Sequence, residues 1–148
     1  MMSTPPIEYA TWIACPPETV WPAIATGAGW DGWFTSGTEL EQKGGGALRL
    51  VWHEFGADRV TAEDRGSVLT YDKPSVFAFS WGSPPSRVTF TLAAEDGGTR
   101  VEVVEDQLPD GEPGVKRAIY CAGGWGEALT LLKFWLEHKV TFSSAASC

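Results

Sequence analysis

The chain has 148 residues, of which 43% are hydrophobic, and its formal net charge at pH 7 is -8. This length and apolar content fit one domain, residues 1–148, with a substantial core, and are short for two domains. The acidic balance, without any run of Lys or Arg, argues against a surface that neutralises nucleic-acid phosphates.

The amino terminus and the cysteines indicate the compartment. Residues 1–6 lack the basic and apolar regions of a secretory signal, and no apolar run approaches the ~20 residues that cross a bilayer. The three cysteines, Cys15, Cys121 and Cys148, have wide spacings that favour reduced thiols over disulfides. No spacing typical of metal ligands is present. We therefore expect a soluble, cytoplasmic protein without membrane insertion or a metal site.

The first predicted elements are one strand and one helix. Residues 7–14 alternate at the two-residue period of a strand. A helix is predicted to open at Glu18, just after Pro17, where a missing amide proton costs little. Gly27 and Gly29 are predicted to stop it.

A short second helix or turn, residues 30–34, carries three large aromatic side chains. After it, strand signals alternate with turn residues, as in an antiparallel meander. The predicted strand segments are residues 48–53, 60–62, 66–71, 76–81, 87–92 and 99–105. Because their apolar residues lie on one face, we expect another layer to cover that face.

A late amphipathic helix, residues 123–138, is the predicted cover. Its apolar residues recur at intervals of three and four. Residues 107–114, rich in Pro, Gly and Asp, are predicted to form a mobile surface loop. Residues 141–148 are predicted to form a frayed tail.

Four segments carry a family resemblance: Cys-Pro-Pro-Glu-Thr-Val-Trp at 15–21, three glycines at 44–46, residues 66–81, and Gly-Gly-Trp at 123–125 followed by regularly spaced leucines. Together with the element order, they resemble the START/Bet v 1-like (SRPBCC) superfamily, in particular the subgroup similar to the activator of heat-shock-chaperone ATPase. The resemblance covers residues 7–138. It implies an α+β helix-grip fold: a curved antiparallel sheet of six to seven strands around a long carboxy-terminal helix, with two short helices after the first strand.

The resemblance also implies a cavity between the sheet and the long helix. Side chains on the second short helix, the inner sheet face and the start of the long helix are then candidates for ligand binding, although each could also be plain core. The candidates are Trp30, Trp33, Phe34, Trp52, Phe79, Trp81, Trp125, Leu129 and Leu132. Trp21 and Trp135 are expected to be core, since aromatic side chains supply much of the burial in a small domain.

Catalytic residues are not evident. Arg49 and His53 alternate with apolar neighbours and are expected on a solvated face, while His138 suits the end of a helix. Glu102 and Glu105 are interpreted as solvated charges on an exposed strand. We predict neither a catalytic group nor a cofactor.

Three functions are compatible with these observations. The first is non-enzymatic binding of a small hydrophobic or aromatic molecule in the cavity. The second is a protein-interaction role like that of the chaperone activators, with a chaperone partner or self-association. The third is a cofactor-free enzyme, resembling a cyclase or hydrolase, that acts on a bound aromatic molecule.

Overall fold

The computed structural model describes residues 2–141. The tail predicted at residues 141–148 therefore lies, apart from Thr141, outside the described residues, and so does Cys148. The elements in chain order are β1 (Ile7–Ile13), α1 (Pro17–Ala25), α2 (Gly27–Trp33), β2 (Glu39–Leu40), β3 (Ala47–Phe55), β4 (Val60–Asp72), β5 (Val76–Trp81), β6 (Ser86–Glu95), β7 (Gly98–Asp106) and α3 (Gly111–His138).

The seven strands form one antiparallel sheet in the order β1-β7-β6-β5-β4-β3-β2. The chain thus runs as a meander from β2 to β7, and β1 is added beside β7. Alternate side chains of each central strand, such as Val88, Phe90 and Leu92 of β6, are buried beneath the helices. The predicted α+β helix-grip architecture is confirmed.

The two short helices fill one part of the inner face. α1 begins at Pro17, where the missing amide proton leaves no hydrogen bond unmade, and Thr26 caps α2 by accepting a hydrogen bond from the Gly29 amide. The indole N–H groups of Trp30 and Trp33 donate to backbone carbonyls of α1 at 2.7 and 2.8 Å. These bonds fix both rings in the core.

β4 is longer than predicted, because the two segments at 60–62 and 66–71 are one continuous strand. The charged residues between them belong to the strand, where Glu63 pairs with Arg49 of β3 at 2.7 Å. Gly66 permits a close approach to β5, since a Cβ atom there would lie 1.6 Å from the Ser80 carbonyl oxygen.

α3 begins at Gly111, twelve residues before the predicted start at Gly123. The prediction of a loop over residues 107–114 was wrong for the last four residues. Pro113 lies in the first helical turn, where an amide proton has no intrahelical acceptor, so it starts the helix without breaking it. Within residues 2–141, no helix has both the length and the apolarity to cross a membrane.

The second half of α3 is fastened to β1. Lys133 donates to the Trp12 carbonyl and, at 2.7 Å, to Glu137, while Glu137 also accepts from the Ala14 amide. The hydrogen bond from Lys133, followed by that from Ala14, lowers the pKa of Glu137. This end of the helix is therefore fixed by charge as well as by apolar packing.

Candidate functional site

A cavity of about 550 Å³ opens at one end of the sheet. It lies between the β3–β4 hairpin, the end of β5 and the first half of α3. Six aromatic side chains from these elements and from the end of α2 line it: Phe34, Trp52, Phe55, Trp81, Tyr120 and Trp125.

The nine residues proposed from the sequence divide into two groups. Phe34, Trp52, Trp81 and Trp125 line the cavity. The other five are almost fully buried in the packed core and are not among its lining residues: Trp30, Trp33, Phe79, Leu129 and Leu132. Trp21 is buried in the core as expected, and Trp135 is half-buried against it.

The aromatic lining is continuous. Ring centroids of Phe34 and Trp52 lie 5.6 Å apart, those of Trp52 and Trp81 lie 6.0 Å apart, and those of Trp81 and Trp125 lie 5.6 Å apart. Distances of this size place neighbouring rings in direct contact. The cavity therefore has one connected wall of indole and phenyl groups.

Glu105 lies behind this wall, and its predicted solvent exposure was wrong. The side chain is fully buried and its carboxylate accepts three hydrogen bonds: from Trp81 Nε1 at 2.9 Å, from Trp125 Nε1 at 2.9 Å and from Ser86 Oγ at 2.5 Å. Glu102, on the opposite face of β7, is exposed as predicted. A buried carboxylate is tolerated where donors surround it.

Arg117 of α3 links this carboxylate to a positive charge. Its Nη2 donates to Ser86 Oγ at 2.9 Å, so the Ser86 hydroxyl proton is free to point at Glu105. The same guanidinium donates to the carbonyls of Pro84 and Trp81 in and before the β5–β6 turn. Arg117 thus connects the first half of α3 to the sheet, and Ser86 Oγ bridges its guanidinium to Glu105.

Six further lining side chains are polar or charged: Asp58, Asp64, Ser83, Arg117, Cys121 and Glu127. Burial, and then the charge of Glu105, raise the pKa of the Cys121 thiol to about 11. Because the thiolate is the reactive form, this raised pKa makes Cys121 a poor nucleophile at neutral pH.

The histidines lie elsewhere. His53 is exposed on β3 and His138 is exposed at the end of α3, and neither lines the cavity. Arg49 is partly exposed and ion-paired with Glu63, outside the cavity as well. Among residues 2–141, no three Asp, Glu, His or Cys side chains are grouped as metal ligands.

Fold and site together define a helix-grip protein of the START/Bet v 1 type. The model of the family described as "Activator of Hsp90 ATPase homolog 1-like protein" matches residues 14–137, and the chain belongs to this family. No curated protein matches the chain in a sequence comparison.

Solved structures show the same fold. A protein from Staphylococcus saprophyticus is 25% identical, with a TM-score of 0.78 over 95% of this chain and 98% of that chain. The Aha1 protein of Colwellia psychrerythraea, determined as a dimer in solution, is 18% identical, with a TM-score of 0.74 over 91% of this chain and 98% of that one. DynU16, from the dynemicin biosynthetic locus, is 18% identical, with a TM-score of 0.75 over 90% of this chain and 48% of its own.

Proposed function

We propose that this protein binds a small hydrophobic or aromatic molecule in the cavity beneath the first half of α3. The observation that supports this function is the continuous aromatic wall around a space of about 550 Å³. Ligand pockets of about 300–1,000 Å³ are typical for small molecules. Neither histidine lies there and the thiol pKa is raised, which favours binding over catalysis.

Two adjacent glycines of α3 allow a controlled test. Gly124 lines the cavity and Gly123 does not, and a Cβ atom at either position would meet no heavy atom within 4 Å. Gly124→Leu should fill the cavity, whereas Gly123→Leu adds the same side chain on the exposed side. Both substitutions raise helix propensity, so neither should destabilise the fold.

The measurement is a titration with N-phenyl-1-naphthylamine, a neutral dye that fluoresces in apolar surroundings. We expect saturable binding by the natural chain and by Gly123→Leu, and a loss of affinity of at least about tenfold in Gly124→Leu, since each 1.4 kcal/mol of lost contact is a factor of ten. Absence of binding by the natural chain, or equal binding by both variants, would overturn the proposal.

Protein interaction is a second candidate, supported by family membership and by three exposed apolar side chains on the first half of α3. Val115 is 42% exposed, Ile119 is 71% exposed and Tyr120 is 78% exposed. Such side chains at a surface often mark a contact with another protein. The test is the rate of ATP hydrolysis by a purified Hsp90 chaperone, with and without this protein. A rate that rises when the natural chain is added, but not when Ile119→Ser is added, supports the role. A rate that the natural chain leaves unchanged refutes it.

A further inference from the structure

Two of the three tryptophans in the cavity wall have no hydrogen-bond donor left for a ligand. Trp81 and Trp125 each give their single indole N–H to Glu105 at 2.9 Å. An indole has no other polar hydrogen. A ligand beside these rings therefore meets their π faces, which carry partial negative charge and attract cations.

The charged side chains of the cavity are mainly acidic. Asp58, Asp64 and Glu127 line it, and none of these three carboxylates is ion-paired with any residue from 2 to 141. Arg117 is the one cationic side chain among the lining residues, and Ser86 already connects it to Glu105. Three carboxylates against one guanidinium leave the lining side chains with an excess of negative charge.

We infer that the ligand is an organic cation, with a flat aromatic body and a protonated amine. The π faces and the excess of carboxylates in the lining both favour this charge. The inference rests on the proposed function, because it specifies the ligand of the same cavity. The body packs along the aromatic wall and the amine faces the acidic side chains.

Three compounds with one naphthyl body test the charge. 1-Naphthylmethylamine is cationic at pH 7, 1-naphthalenemethanol is neutral and 1-naphthaleneacetate is anionic. Each is titrated against the protein loaded with N-phenyl-1-naphthylamine, and displacement of the dye gives its affinity. We expect the amine to bind about tenfold more tightly than the alcohol, and the acid more weakly than the alcohol. The preference for the amine should shrink as salt is added.

The double variant D64N/E127Q removes two of the charges while keeping the side-chain shapes. Asn keeps the Oδ1 atom with which Asp64 accepts from the Arg65 and Gly82 amides, so the local fold is retained. The preference for the amine should fall from about tenfold to under about threefold, with the alcohol unchanged. Asp96→Asn is the control for loss of a carboxylate outside the cavity, because Asp96 lies in the β6–β7 turn and does not line the cavity.

Two results would overturn the inference and leave the proposed function intact: the alcohol binding as tightly as the amine, or a preference for the amine that persists in the double variant. Failure of all three compounds and of the dye to bind would instead overturn the proposed function, and the inference with it.

Discussion

Replacing Glu105 by Gln should destabilise the protein strongly, although the two side chains have nearly the same shape. The carboxylate accepts from two indole N–H groups and one hydroxyl. Gln offers one oxygen in place of two. Its amide oxygen can face either Trp125 or the pair Trp81 and Ser86, so at least one buried indole N–H must point at an NH2 group.

The size of the effect follows from these contacts. Losing a hydrogen bond to a charged group costs about 1.5–3 kcal/mol, and a buried donor without an acceptor costs about 1–3 kcal/mol. Part of this is offset because Gln needs no desolvation of a charge. We therefore expect the free energy of unfolding to fall by about 3 kcal/mol.

Urea unfolding followed by circular dichroism measures this change. With a slope of about 2 kcal/mol/M, the unfolding midpoint of Glu105→Gln should fall by about 1.5 M. Glu102→Gln is the control on the same strand, since Glu102 is exposed and forms its salt bridge with half-exposed Arg100, a type of surface contact that adds little to stability. Equal midpoints for the two variants would refute the assigned role of the buried carboxylate.

Three further predictions concern other parts of the molecule. The pKa of Glu137 is lowered in the folded state, so the stability that its carboxylate contributes is present above the ordinary pKa of 4.5 and is lost as the pH falls through the folded value. The free energy of unfolding of Glu137→Gln should therefore fall less between pH 7 and pH 3 than that of the natural chain. An equal fall in both proteins would contradict this. In a variant whose other cysteines are replaced by Ser, Cys121 has a thiol pKa of about 11 and should react with iodoacetamide at pH 8 about 100-fold more slowly than free cysteine. A rate like that of free cysteine would argue against its burial. Gly66→Ala should destabilise the fold by about 2 kcal/mol or more, since its Cβ would lie 1.6 Å from a backbone oxygen. In the control Gly44→Ala, the Cβ would lie 3.5 Å from its nearest atom, so the urea midpoint should change little. Similar midpoints for the two variants would refute the close strand contact.

The sheet was predictable because its side chains alternate regularly. The segment 76–81 agrees with β5 at both ends, and the order of the predicted elements was itself part of the family resemblance. The start of α3 was not predictable in the same way, because Gly111 and Pro113 are typical of loops when read alone. Their place in the first helical turn becomes evident only with the rest of the helix.

Glu105 shows how a residue type can conceal a pattern. Val101 and Val103 occupy the inner face of β7, so the two-residue period places Glu105 there as well. The sequence alone favours a solvated carboxylate, because charged residues on strands and loops are more often exposed. Its three donors come from β5, β6 and α3, and nothing in the local sequence brings them together.

The position of the cavity depends on packing that the sequence does not specify. Trp30 and Phe79 come from segments predicted to border it, yet their rings lie 5.9 Å apart, edge to face, inside the core. The α1 and α2 side chains fill that part of the space between sheet and helix. What remains open lies under the first half of α3, where Gly124 leaves room.

The hydrogen-bonded group around Glu105 also constrains how this protein can change through evolution. The members of this group satisfy one another's hydrogen bonds: Glu105, Ser86, Arg117 and the two indoles. Replacing any one of them leaves a donor or a charge of another member without its partner. Effects of substitutions in such a group are not additive. Among relatives, we expect the acidic and basic members to be kept together or lost together, with an apolar side chain replacing the carboxylate only where the arginine has also gone.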